Sequence, residues 1–364
     1  MKRQAVWASI AFGLALGGCG GAKPAESPQP DPSLTTPSST QDGARGATPS
    51  SPGTAKPGGT DGPAATSTSD DVTRGTAAIK AGDWTTARAS FEAAIKKNPK
   101  QADAYYYLGL VMDKTGDRPA AEKNYKAALD LQPDLQEAAE NLTAIYVESQ
   151  KFDEAIVIAK KALARNSKNS EMQLNLAVAL SGKGDVDGAT KAFDDALKLA
   201  PNDARFYLAY ADHLSVAKKN DEAIAKLKQA QRVAGDDPAM LGTIGFAFRT
   251  ARAVPECIAV FDKAITLKDN ADFRTNRAMC KLAAKDKPGA LVDLQAATTK
   301  DPAFAPAHYW LGSILHDDGK FPEAVAEYDA YLKAAPKGPM AKAADAKMKL
   351  AKDKKKPEKP APKK

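Results

Sequence analysis

The stretch Tyr105–Tyr125 reads YYYLGLVMDKTGDRPAAEKNY. Two apolar clusters flank a Thr-Gly-Asp turn. Tyr105, Leu108 and Met112 fall at i, i+3 and i+7, one face of a helix. Gly116-Asp117 ends that helix, and Ala121, Tyr125, Ala128 and Leu129 line the next. Gly109 stands inside the first helix, where glycine costs about 1 kcal/mol against alanine. Such a cost needs a compensating contact, so Gly109 and Ala121 are expected where the two helices approach closely.

The arrangement returns along the chain. Small residues stand at Gly75, Gly109, Thr143, Ala177, Ala211, Gly245, Ala278 and Gly312, in steps of 34 residues with a single step of 33. Twelve residues after each comes a second small residue, from Ala87 and Ala121 to Cys257 and Ala324. Four further on stands a side chain that is bulky in most units, such as Phe91, Tyr125, Phe193, Phe261 and Tyr328. Pro99, Pro133, Pro201, Pro302 and Pro336 close five of the eight units; proline lacks the N–H that would continue a helix. Each unit therefore predicts two helices of about 13 residues, roughly 20 Å long. One such pair cannot bury its own apolar face, so neighbouring pairs must stack.

This pattern resembles the tetratricopeptide repeat (TPR) family. Tyr105, Leu108, Gly109, Ala121, Tyr125, Ala128 and Pro133 match the family's aromatic–Leu–Gly and Ala–aromatic–Ala–Pro positions. The resemblance implies an all-α TPR solenoid, a right-handed superhelix of antiparallel helix pairs. Eight units fill residues 68–336, and an amphipathic stretch within 337–350 is expected to cap the open end. Two units depart from the pattern. The first has Asp71 and Arg74 where the aromatic and leucine belong, and the seventh has Arg274, Arg277 and Lys281 on its first helix. Those two read as degenerate or frayed units.

The family's usual contact surface is the concave one, lined by first helices. The register places Asp103, Tyr106, Leu110 and Asp113 there from unit two. Unit three contributes Glu137, Glu140 and Val147, and unit four Glu171, Leu174 and Val178. This reads as an apolar strip edged by carboxylates, suited to a peptide segment of a protein partner. Later units bring Arg205, Leu208 and Asp212, then Phe246 and Arg249, then Met279 and Leu282, then Tyr309 and His316. One subclass of the family grips C-terminal carboxylates with lysines and asparagines. Asn141, Asn175 and Asn276 match its asparagine, but Tyr106, Leu110, Glu140 and Ala144 stand where lysines would be needed. Chaperone-tail clamping is not expected.

The N-terminus reads MKRQAVWASIAFGLALGGCGG. Lys2 and Arg3 precede the apolar run Ala5–Leu16, which is too short for a bilayer span of about 20 residues and fits a secretory signal. Leu16-Gly17-Gly18-Cys19 resembles the bacterial lipobox, which implies cleavage after residue 18 and lipidation of Cys19. Gly20 rather than aspartate after Cys19 favours outer-membrane sorting, facing the periplasm, by the same resemblance. Residues 19–67 are rich in Pro, Ser, Thr and Gly and read as a disordered tether with a reach of roughly 40 Å.

The net charge of +7 is mostly a tail property. Residues 351–364 hold seven lysines against Asp353 and Glu358, while residues 71–350 carry only +2. No basic nucleic-acid-binding face is implied. The tail reads as a disordered solubilising segment, or as a weak contact for anionic lipid or polymer.

Catalytic chemistry finds no support. No phosphate loop, nucleophile elbow or HExxH occurs. His316 is followed by Asp317 and Asp318, but no second histidine stands at ligand spacing, so neither metal nor cofactor is expected. His308 occupies the aromatic position of unit eight and reads as a packing residue, and His213 lies near a helix seam. Cys257 replaces a core alanine, and a bridge from it to Cys280 is open to an oxidising compartment. The sequence reads as a non-enzymatic, lipid-anchored envelope scaffold for protein partners, in pilus, gliding or peptidoglycan machinery. The alternative is a soluble periplasmic adaptor that recruits a protease or peptidoglycan hydrolase.

Overall fold

The computed structural model describes residues 68–354, and every regular element among them is an α-helix. The signal segment, Cys19, the linker and the last ten residues lie outside the described part. Seventeen helices follow one another: α1 Thr68–Ala81, α2 Trp84–Lys97, α3 Ala102–Lys114, α4 Arg118–Leu131, α5 Gln136–Glu148, α6 Phe152–Arg165, α7 Ser170–Lys183, α8 Val186–Leu199 and α9 Ala204–Val216. Then come α10 Asn220–Ala234, α11 Pro238–Thr250, α12 Val254–Leu267, α13 Ala271–Ala283, α14 Lys287–Lys300, α15 Ala305–Asp317, α16 Phe321–Ala334 and α17 Ala341–Lys354. They form eight pairs and a last helix, as the periodicity requires. The last helix runs to Lys354, so the first four residues of the expected tail are helical.

The described chain divides into two compact units. One ends at Leu135 and holds α1–α4; the other begins at Gln136 and holds α5–α17. Within each, odd-numbered helices are the first of a pair and pack on the even-numbered helix that follows.

The glycine at the helix seam has a specific partner. A Cβ on Gly109 would lie 2.8 Å from the Tyr125 ring. On Gly75 it would meet the Phe91 ring at 2.6 Å, on Gly245 the Phe261 ring at 2.7 Å, and on Gly312 the Tyr328 ring at 3.1 Å. So the close approach is between a glycine and a ring, not between Gly109 and Ala121. All four rings are fully buried. Where the seam residue is larger, the partner sixteen residues on is smaller in three units of four: Thr143 with Ala159, Ala211 with Leu227 and Ala278 with Leu294. Ala177 with Phe193 is the exception. In those three units a larger seam residue is matched by a smaller partner, as a close-packed interior favours.

The turn inside each pair needs one residue in the left-handed region. Gly82, Gly116, Gly184 and Gly319 supply it, with φ between 74° and 89°. At the same register position Gln150, Lys218, Arg252 and Lys285 adopt φ of 59–64°. Half of the turns therefore form without the glycine that a sequence reader looks for, because packing on both sides imposes the conformation.

The two units expected to fray are ordered, and for one shared reason. In α1, Arg74 holds the fully buried Asp71 at 2.8 Å and donates to Ser90 Oγ at 3.0 Å. Lys97 reaches the other Asp71 oxygen at 2.6 Å. In α13, Arg277 takes the same register position and pairs with the fully buried Asp293, sixteen residues on, donating from Nε at 2.8 Å. Lys281 reaches Asp293 at 2.8 Å and Arg274 stands at 3.7 Å. Arg277 also holds Asp262 of α12 at 2.7 Å, and Arg274 holds Asp269 through two bonds of 2.6 and 2.9 Å. Burial pushes the Asp293 carboxyl up, but Arg277 and Lys281 together hold it below the ordinary carboxylate value. An arginine in place of the usual leucine thus brings its own buried acceptor.

Cys257 of α12 and Cys280 of α13 form a disulfide, with Cα atoms 6.1 Å apart and both residues buried. That separation is ordinary for a bridge. It ties the sixth repeat to the seventh, across 23 residues of sequence.

His308 packs as expected and faces two acceptors. Its Nδ1 lies 2.6 Å from Glu327 Oε2, and its Nε2 donates to the Pro302 carbonyl at 3.0 Å. Two acceptors favour the doubly protonated ring, and Glu327 raises the His308 pKa above its usual value. A raised folded-state pKa stabilises fully below the unfolded value of about 6.5, and the gain is lost as pH rises through the folded value. His308→Gln is therefore expected to cost more stability at pH 5.5 than at pH 8.5, by about 1–2 kcal/mol, as for a charge-assisted hydrogen bond. Urea unfolding of both proteins at the two pH values checks this; an equal cost would show that the ring is neutral throughout.

Candidate partner-binding lining

The lining consists of the second, fifth, ninth and twelfth residues of each first helix. In the first unit, Asp103 is exposed, while Tyr106, Leu110 and Asp113 of α3 are half-buried. Tyr106 leans on Tyr107 and Tyr125, at centroid distances of 5.0 and 6.1 Å. These positions present apolar surface with carboxylates at either end of the helix.

In the second unit the expectation needs correction. Glu137 is exposed and Glu140 and Glu171 are half-buried, but Leu174 is fully buried and Val147 and Val178 are buried as well. The three apolar residues belong to the core rather than to an open strip. The cause is direct packing of first helix on first helix: α5 touches α7, and α7 touches α9. Side chains at these heights are covered by the neighbouring repeat.

The carboxylates of α5 and α7 stay accessible there. The Asn169 side chain caps α7 and donates back to Gln136 at 3.1 Å and Glu140 at 2.7 Å. Burial raises the Glu140 pKa, opposed by the Asn169 bond and assisted by Glu171 and Glu137. Arg205 of α9 holds Glu171 at 2.5 Å and Asp203 at 2.5 Å. On α11, the Arg249 guanidinium lies 4.7 Å from the centre of the Phe246 ring, and that ring is 42% exposed. Burial lowers the Arg249 pKa, and Asp272 of α13 opposes that. Asn276 is engaged with Asp272 through a side-chain bond of 3.0 Å. Asp212 of α9 is half-buried, and burial pushes its carboxyl up to about 6. Asn169 had no signal in the register, since its reach to Glu140 depends on the preceding first helix.

Among the described residues, no group of three or more histidines, cysteines or acids is placed to hold a metal. His213 is spent on Ser181 at 2.8 Å and Thr190 at 3.2 Å, inside the core. His316 stacks edge-on against Phe321. No described helix is long and apolar enough to cross a membrane.

A family model described as a tetratricopeptide repeat matches residues 75–234, and a second of the same description matches 275–339. The chain belongs to the tetratricopeptide repeat family. TPR proteins mediate protein–protein interactions. Among curated TPR relatives, Hsp70-Hsp90 organizing protein 3 of Arabidopsis thaliana is 26% identical over 245 residues, 63% of this chain and 42% of that protein. Protein FlbA of Caulobacter vibrioides is 28% identical over 171 residues, 47% of this chain and 28% of FlbA. The chain thus spans less than half of each relative's length. The crystal structure of yeast Tom70 superposes with a TM-score of 0.55 at 18% identity, over 80% of this chain and 65% of that one, a likeness of fold.

Proposed function

We propose that this TPR protein is a lipid-anchored, non-enzymatic scaffold of the bacterial cell envelope, probing the periplasmic side from the outer membrane. It binds segments of other envelope proteins on its first-helix lining and serves the assembly of an envelope complex. The reading is carried by one combination: a lipobox-like Leu16-Gly17-Gly18-Cys19 ahead of a domain with a buried disulfide. Disulfides persist in oxidising compartments, which supports export. The lining supports partner binding through half-buried Tyr106 and Leu110 and the exposed Phe246. Its carboxylates differ from the lysines a carboxylate clamp requires, so the likeness to chaperone-organising proteins does not extend to that mode of binding.

Cys19→Ser tests the anchor. The variant is expected to move from the membrane fraction to the soluble periplasmic fraction; unchanged fractionation would refute lipid attachment. Crosslinking in detergent-solubilised envelopes tests the lining. A protein captured by the wild type is expected to be lost with Tyr106→Ala combined with Leu110→Ala, once circular dichroism shows that this variant folds. Equal capture would place binding elsewhere.

A further inference from the structure

Successive first helices of the second unit are linked by polar contacts that reach back to the helix before. Asn169 of α7 reaches Glu140 of α5 at 2.7 Å, and Arg205 of α9 reaches Glu171 of α7 at 2.5 Å. Lys347 of α17 donates to Ser313 of α15 at 2.6 Å. Ser313 and Lys347 hold the same register position, 34 residues apart.

Asp212 occupies that register position on α9, and the residue 34 further on is Phe246 of α11. α9 and α11 touch. No lysine reaches back to Asp212, and its carboxylate has no hydrogen bond or ion pair among the described residues. Glu140 and Glu171, by contrast, are each answered by a donor from the next first helix. An unanswered, half-buried carboxylate gains from a cation brought to it. Phe246, one repeat on at the same register position, leaves 42% of its surface open, with the Arg249 guanidinium 4.7 Å from the ring centre.

We propose that Asp212 and Phe246 form a recognition point for a lysine-bearing polypeptide segment, with the ammonium on the Asp212 carboxylate and the methylene stem against the Phe246 ring. The charge of the neighbouring lining fits a cationic segment: Glu137, Glu140 and Asp272 lie on the same surface, against Arg249. Lysine stems bury readily on apolar surface while the charged head seeks a polar partner. The proposal rests on the partner-binding reading of the lining and names the chemistry recognised there.

Isothermal titration of the intact protein tests it, with hexalysine, fully acetylated hexalysine and hexaglutamate as probes. Hexalysine is expected to bind, and the other two are not. Asp212→Asn should weaken hexalysine about tenfold or more, and Phe246→Ala about threefold, on the scale of a partly desolvated charge pair and its apolar support. Glu154→Gln, an exposed carboxylate on the second helix α6 and outside the lining, should change affinity less than about twofold, as surface charges do. Asp212→Asn removes a desolvated charge and should melt no lower than the wild type, so weakened binding by this variant reads as lost recognition. Equal effects of Asp212→Asn and Glu154→Gln would reduce the binding to diffuse attraction and overturn the proposal. So would hexalysine failing to bind. Neither result touches partner capture through Tyr106 and Leu110, which tests the lining itself.

Discussion

Asp293→Ala is expected to lower the stability of the second unit by about 3–5 kcal/mol, the range for removing one partner from a buried charge network. Asp293 is fully buried and answers Arg277 and Lys281 directly, with Arg274 at 3.7 Å. Arg277 keeps Asp262 and Arg274 keeps Asp269 after the substitution, but Lys281 loses the one acceptor seen for it. The side chains of Arg277 and Lys281 are themselves mostly buried. A control at the exposed pair Lys333–Asp329 of the same unit should cost less than about 1 kcal/mol. Urea unfolding followed by circular dichroism measures both. A loss below that of the control would mean that the network contributes nothing beyond a surface pair.

The network also sets an acid limit. The Asp293 carboxyl is held below its usual value, so its contribution is present above the unfolded carboxylate value of about 3.9. It is lost as pH falls through the lower, folded value. The stability difference between wild type and Asp293→Ala should therefore narrow in acid and hold steady from pH 5 to 8. His308 acts in the opposite sense, contributing most at low pH.

Gly109→Leu is the second large effect. A Cβ alone would lie 2.8 Å from two Tyr125 ring atoms, and the ring has no free volume to retreat into because it is fully buried. Leucine improves local helix propensity by nearly 1 kcal/mol, yet overpacking of this kind costs about 1–3 kcal/mol and sometimes more. We expect a net loss of about 2 kcal/mol or more, seen as a lower melting temperature of the first unit. The chain itself suggests the compensating change, since Thr143 faces Ala159 at the same register position. Gly109→Thr combined with Tyr125→Ala should lose less than the sum of the single substitutions, the mark of residues in contact. Strict additivity, or an unchanged melting temperature for Gly109→Leu, would count against the glycine–ring seam.

The lining was legible only in part. Asp103, Tyr106, Leu110 and Glu137 stand at the surface or half-buried, where the register puts them. Leu174, Val147 and Val178 share their register positions with half-buried residues but are buried. A register says which way a side chain leaves its helix. It does not say how closely the next first helix approaches.

The sequence by itself determined the helix pairs and their 34-residue register. Those features repeat because each helix face must bury apolar surface within a few residues of itself, and near-neighbour packing leaves a periodic trace. Tertiary structure alone decided that Asp71 and Asp293 are core residues, that Arg74 and Arg277 hold them, and that Gln150, Lys218, Arg252 and Lys285 turn the chain without glycine. It also decided that Cys257 meets Cys280 and that Asp212 stands unanswered. Each of these depends on a partner one helix or one repeat away. A charged residue reads as solvated until its partner is seen, and only the folded stack brings the partner within reach.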